Sequence, residues 1–92
     1  MPNYQTEELE VLLEEEIKID QHGLIVFNDE VNTFDFVINT LMNVCDHSLE
    51  QAEQCTLLIH YKGKCCVKNG SYESLEPLCN KILSKGLSAT IA

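Results

Sequence analysis

Asn28, Asp29 and His60 are the residues whose chemistry asks for an explanation. Asn28 and Asp29 follow the apolar run Leu24-Ile25-Val26-Phe27, so they stand at the end of a strand and offer an amide and a carboxylate as acceptors. Thr56, Ile59 and His60 are spaced i, i+3, i+4. On a helix they share one face, and His60 becomes an adjustable donor or acceptor beside an apolar surface. If that face meets the loop after the strand, a pocket forms with Asp29, Asn28 and His60 on its rim and Ile59, Phe34 and Val37 as its wall. Such a site suits a cation joined to a greasy group. The plainer alternative is that Asn28-Asp29 caps a turn and His60 packs at a helix end.

Other constellations are weaker. Among the 5 Cys, Cys45 lies two residues from His47 and Cys65-Cys66 are adjacent, with no CxxC and no repeated ligand pair. No metal site is expected, and each thiol falls on an apolar face or a strand where packing accounts for it. The 4 Gly fall at turns or helix ends rather than in a phosphate loop, so no cofactor is expected either. A thiol hydrolase built on a Cys near His60 is a rival, and it requires a cysteine of lowered pKa beside that histidine.

Positioning these residues requires a definite set of elements. The run Leu24–Phe27 predicts a short strand ended by the polar loop Asn28-Asp29-Glu30. Asn32 or Thr33 caps a first helix carrying Phe34, Val37, Leu41, Val44 and Cys45, which stops near Asp46-His47. Ser48 with Gln51 three positions later forms a capping box for a second helix, with Ala52, Cys55, Thr56 and Ile59 as its stripe and Gly63 as its end. Lys64 to Lys68 is a second strand, closed by an Asn69-Gly70 turn. Leu75, Leu78, Cys79, Ile82 and Leu83 mark a third helix capped at Ser74, which places Pro77 in its first turn, and Gly86 stops it. Leu87, Ala89 and Ile91 alternate with Ser88 and Thr90 as a half-buried last strand. The expected fold is α+β, a two-layer β-α-α-β-α-β sandwich with three helices on a small three-stranded antiparallel sheet.

Size and charge narrow the partners. Ninety-two residues allow one compact domain, and 6 Lys against 15 Asp plus Glu gives a net charge of −9. That balance disfavours nucleic acid and anionic membrane surfaces as partners. The charge is uneven, with seven acids against Lys18 alone between Met1 and Gln21. Residues 1–21 are therefore expected to form a flexible acidic extension and residues 22–92 the folded core. The polar, acidic start and the odd number of cysteines predict reduced thiols and a cytoplasmic location, and no apolar run approaches the roughly 20 residues of a membrane helix.

Leu24-Ile25-Val26-Phe27-Asn28-Asp29-Glu30, then Phe36-Val37, then Ile59-His60-Tyr61-Lys62-Gly63-Lys64, resembles the ClpS adaptor family of the bacterial N-degron pathway. The likeness runs from about Gly23 to Ile91. It implies an adaptor rather than an enzyme, which binds proteins whose first residue is a bulky Leu, Phe, Tyr or Trp. It also implies delivery to a Clp ATPase of the ClpA or ClpC kind, working with ClpP. On this resemblance Asn28, Asp29 and His60 hold the α-amino group, and Phe34, Val37, Thr56, Ile59 and Leu87 line the side-chain pocket. Glu73 matches an acid presented to the ATPase. Val31-Asn32-Thr33-Phe34 stands where the family usually reads Tyr-Thr-Pro-Met, Leu78 where a lysine is usual, and Thr56 where a Met is customary. A roomier and slightly more polar pocket is the expected result. The runner-up is a non-catalytic interaction domain of similar topology, such as a ribosomal stalk C-terminal domain, in which Asn28, Asp29 and His60 are ordinary surface groups.

Overall fold

A computed structural model describes residues 21–92, so the expected extension, apart from Gln21, lies outside the described residues. The elements follow the order β1 (His22–Phe27), α1 (Phe34–Cys45), α2 (Leu49–Lys62), β2 (Lys64–Gly70), α3 (Tyr72–Ser84) and β3 (Ser88–Ile91). The three strands form one antiparallel sheet in the order β2-β1-β3, with β1 in the centre. This is the expected β-α-α-β-α-β arrangement. No helix among the described residues is long and apolar enough to cross a membrane.

Alternation along β1 buries Leu24 and Val26 completely, and these two side chains meet Val37, Leu41, Ala52, Leu75 and Ile82 in the core. Each helix contributes its apolar stripe to that core. The strand is longer than its apolar run, because His22 and Gly23 pair with Gly70 and Asn69 and because Gly23 exchanges backbone hydrogen bonds with Ala92. Main-chain pairing continues where side-chain hydrophobicity stops.

Two expectations about local structure are corrected. Asn69-Gly70 is not a turn but the end of β2, with Gly70 opposite His22. A Cβ on Gly70 would lie 2.8 Å from Ser74 Oγ, so the glycine serves a close approach to the next helix rather than a reversal. That helix, α3, is capped by Ser71 and not by Ser74. Ser71 Oγ accepts from the Ser74 N–H at 3.1 Å, and the Ser74 hydroxyl donates back to the Ser71 carbonyl at 2.9 Å. Pro77 consequently lies inside the helix. Its missing N–H leaves the Glu73 carbonyl without a helical donor, which is tolerable because Glu73 and Pro77 are both exposed to water.

The caps of α1 and α2 decide where the site residues point. Thr33 Oγ1 accepts from the Phe36 N–H at 3.1 Å, which starts α1 at Phe34. Ser48 caps α2, and Gly63 ends it at φ 90°, a conformation that costs a residue with a Cβ on the order of 1–2 kcal/mol. The register of β1 on β2 shifts between Leu24 and Ile25, leaving Val67 as the extra residue of a bulge. Its side chain enters the core, and its carbonyl accepts from Nε2 of the buried His47 at 2.7 Å.

Candidate functional site

The loop leaving β1 is built by its own side chains. Asp29 Oδ1 accepts from the N–H groups of Val31 at 2.9 Å and Asn32 at 2.7 Å, while Oδ2 accepts from the Asn32 side-chain amide at 2.9 Å. This is an Asx turn closed by a side-chain clamp. The Asn32 amide also donates to the Gly86 carbonyl at 3.1 Å, which ties the loop to the turn between α3 and β3. On the other side, the Asn28 N–H donates to the Gly63 carbonyl at the end of α2. The loop is thus pinned to both the α2 terminus and the approach to β3.

This pinning brings two sequence-distant groups together. Asn28, Asp29, Glu30, Asn32, Thr33, Phe34, Val37, Thr56, Ile59 and His60 line one cavity of about 450 Å³. That volume lies in the range of small-ligand sites, about 300–1,000 Å³. Phe34 and Val37 sit one helical turn apart on α1, and Thr56, Ile59 and His60 share the facing stripe of α2. Ile59, Thr56 and Val37 are buried, while Phe34 is 40% exposed at the mouth. The Phe34 and His60 rings meet at 5.1 Å between centroids and a tilt of 56°. The resulting cavity has an apolar floor and wall with a polar, acidic side formed by Asn28, Asp29 and Glu30.

Asp29 does cap a turn, as the plainer alternative held, and the same bonds favour its charged form. The Asn32 N–H, then the Asn32 amide, then the Val31 N–H hold its carboxyl below the usual carboxylate range, against an opposing push from partial burial. The group stays ionised wherever a cation would meet it. Thr56 departs from expectation. Its hydroxyl donates to the Ala52 carbonyl at 2.7 Å, so the polar group is spent inside α2 and the position adds room to the cavity rather than polarity.

Leu87 is not among the lining residues; it is 3% exposed and belongs to the core. Glu73 is exposed in the first turn of α3, away from the lining, and Leu78 packs against the core. Asn32, Thr33 and Glu30 line the cavity without having been singled out for it. The spacing Asp29-x-x-Asn32 was the available signal, since both side chains bond readily to nearby backbone. None of the five thiols lines this cavity. Burial pushes the Cys45 thiol up to about 11, and burial with the neighbouring Cys55 pushes Cys65 up to about 12, opposite to what a thiol nucleophile needs. Among the described residues, no three or more His, Cys, Asp or Glu are grouped to hold a metal ion.

Comparison with known proteins adds an independent line. The family model for the ATP-dependent Clp protease adaptor protein ClpS matches residues 18–90. The ATP-dependent Clp protease adapter protein ClpS of Campylobacter jejuni (strain RM1221) is 43% identical over 63 residues, covering 68% of this chain and 62% of that protein. The namesake protein of Mycobacterium tuberculosis (strain ATCC 25177 / H37Ra) is 34% identical over 67 residues, 73% of this chain and 66% of its own. The chain therefore spans about three fifths to two thirds of the length of these curated relatives. Among solved structures, Agrobacterium tumefaciens ClpS2 bound to L-phenylalaninamide superposes with a TM-score of 0.68 at 16% identity, covering 79% of this chain and 95% of that one. At that identity the superposition speaks for the fold alone.

Proposed function

Since the chain belongs to the ClpS family of Clp protease adaptors, we propose that its cavity receives the first residue of a protein to be degraded. The α-ammonium of such a residue has a pKa near 7.7–8.0 and offers three donors. Asp29, Asn28 and one ring nitrogen of His60 accept them. A bulky Leu, Phe, Tyr or Trp side chain then occupies the apolar part between Phe34, Val37, Thr56 and Ile59, with Leu87 supporting that wall from the core. An internal peptide bond offers no cation, so ordinary chain segments leave the polar side unpaired, a penalty of about 1–3 kcal/mol per group. No bond is made or broken.

The observation that carries this reading is the single cavity in which an ionised, turn-held carboxylate faces an apolar wall. The amide of phenylalanine seen in the Agrobacterium relative is a ligand of the same chemistry, a free amino group beside a bulky side chain. Delivery follows binding. Residues 1–21 act as an acidic arm that engages a ClpA- or ClpC-type ATPase in the cytoplasm, and the exposed Glu73 supplies a contact to it. Fluorescence anisotropy with peptides differing only at the first residue tests the proposal. Peptides starting with Leu, Phe, Tyr or Trp bind, and their N-acetylated forms do not. Equal binding of free and acetylated forms overturns it.

A further inference from the structure

The two edges of the sheet are built differently. β2 carries Lys64, Lys68 and the bulge at Val67, features that keep a strand edge from pairing with another chain. β3, Ser88-Ala89-Thr90-Ile91, has no charge, proline or bulge. Gly23 and Ala92 exchange both backbone hydrogen bonds, and antiparallel neighbours bond in this way at every second residue. Thr90 and Ser88 therefore turn their backbone groups toward β1. The N–H and C=O groups of Ala89 and Ile91 face outward and, among the described residues, meet no partner. Beside this edge a groove of about 290 Å³ separates β3 from α3, with Tyr72 and Leu83 toward its two ends, each 48% exposed, and Glu76 and Asn80 between them.

We propose that this face is the interface of a homodimer, in which β3 pairs antiparallel with β3 of a second copy about a two-fold axis at Thr90. In that register Ala89 of each copy stands opposite Ile91 of the other, and all the outward groups of both edges bond. Pairing centred on Ala89 would leave Ile91 unbonded. The two Thr90 side chains meet at the axis as a favourable cross-strand pair. The helices fit the same symmetry. α3 packs over both β1 and β3, so strands paired at about 4.8 Å bring the two α3 axes to roughly 8–10 Å, an ordinary packing distance. The helices run antiparallel, which sets Tyr72 of one copy against Leu83 of the other. Their charges are complementary too, because the exposed Glu76 lies in the N-terminal half of α3 and the exposed Lys81 in its C-terminal half. Acid meets base on both sides of the axis. A strand of 4 residues alone covers less than the about 1,200 Å² that a stable pair needs, so the helices must contribute. The groove shares no residue with the cavity, and both cavities stay open in the dimer.

Sedimentation velocity on the full chain, from micromolar to millimolar concentration, tests the proposal. The mass rises from 10.4 kDa toward twice that value. Thr90→Lys sets like charges opposite each other at the axis and weakens association about tenfold. Because Thr90 is exposed, its melting curve at low concentration stays as it is. Glu76→Lys and Lys81→Glu each set like charges across the helix pair and associate less than the intact chain, while an equimolar mixture of the two variants recovers the dimer. A mass of 10.4 kDa at every concentration overturns the proposal. A dimer that Thr90→Lys leaves as tight as before places the contact elsewhere and overturns it too, as does a mixture of the charge variants that associates no better than either alone.

Discussion

Asn28 and Gly63 are joined backbone to backbone, the N–H of one donating to the carbonyl of the other at 2.9 Å. This single bond fixes the end of β1 against the end of α2, and hence Asn28 against His60, three residues before Gly63. Gly63 holds φ 90° with open space around its Cα, so Gly63→Ala meets no neighbour but does meet backbone strain. Loss of about 1 kcal/mol in stability is expected. A proportionally larger loss of peptide affinity follows, because the strained carbonyl is the one that positions Asn28. Chemical denaturation and anisotropy on the same variant measure the two effects.

Asp29 holds the loop turn and is proposed to pair the cargo's ammonium, and two substitutions separate these roles. Asp29→Ala removes three accepted hydrogen bonds and is expected to lower stability by about 1–2 kcal/mol and binding by about 2–4 kcal/mol. Asp29→Asn keeps an oxygen for the Val31 and Asn32 N–H groups but loses the charge and the acceptor for the Asn32 side-chain amide. Part of the melting temperature returns and most of the affinity does not. Full recovery of binding in Asp29→Asn shows that no cation is paired there.

Position 56 sets cavity size. With its hydroxyl bound to the Ala52 carbonyl, Thr56 leaves space that a longer side chain would fill. Thr56→Met shifts the ranking of first residues toward Leu and away from Phe and Trp. Inserting that volume at a residue only 3% exposed also lowers stability, by about 1–3 kcal/mol. The peptide panel reports the ranking, and an unchanged order shows that position 56 does not meet the ligand.

Two titrations bound the pH range of binding. The Asp29 carboxyl is depressed by the Asn32 and Val31 hydrogen bonds, so its contribution to the loop is complete above the unfolded value of about 3.9 and is lost as pH falls through its lower folded value. At the alkaline end the cargo's ammonium loses its proton near pH 8, and affinity falls by about tenfold per unit beyond it. Affinity measured from pH 4 to 9.5 on the intact protein and on Asp29→Asn distinguishes the two limbs, since the alkaline limb belongs to the peptide and survives in the variant while the acid limb does not.

Deleting residues 1–21 removes no residue of β1, which starts at His22, and none of the described residues that line the cavity. Melting temperature and peptide affinity therefore stay as they are, while delivery of a Phe-initiated reporter to the cognate Clp protease slows. Equal degradation rates with the full and shortened chain, at equal occupancy, reduce the arm to a solubility tail.

What was legible in the sequence followed from periodicity and capping. The stripes of α1 and α2, the caps at Thr33 and Ser48 and the stop at Gly63 all express short-range rules, and they suffice to bring Val37, Thr56 and Ile59 to one side. The failures have a common origin in longer-range terms. Asn69-Gly70 has turn chemistry but is drawn into β2 by its pairing with His22 and Gly23. Ser71 and Ser74 are equivalent cap candidates locally, and the strand arriving at Gly70 decides for Ser71. Asn32 reads as a cap until the fold places the Gly86 carbonyl 3.1 Å from its amide, a partner 54 residues away. Leu87 matches a family position, yet the turn before β3 sends it into the core.

The central position of β1 has a consequence for when the protein becomes competent. Its partners lie far apart along the chain, since Leu24 pairs with Ile91 and the loop's clamp reaches Gly86. Contacts of such separation form late because the long loop between them must close first. As the chain emerges from a ribosome, α1 and α2 can assemble the apolar half of the cavity and Asp29 can close its local turn, but the tie from Asn32 to Gly86 waits for the α3–β3 turn. A prematurely terminated chain therefore keeps the turn at Asp29 but lacks the long-range bond that anchors the loop, together with β3, one of the two neighbours of β1.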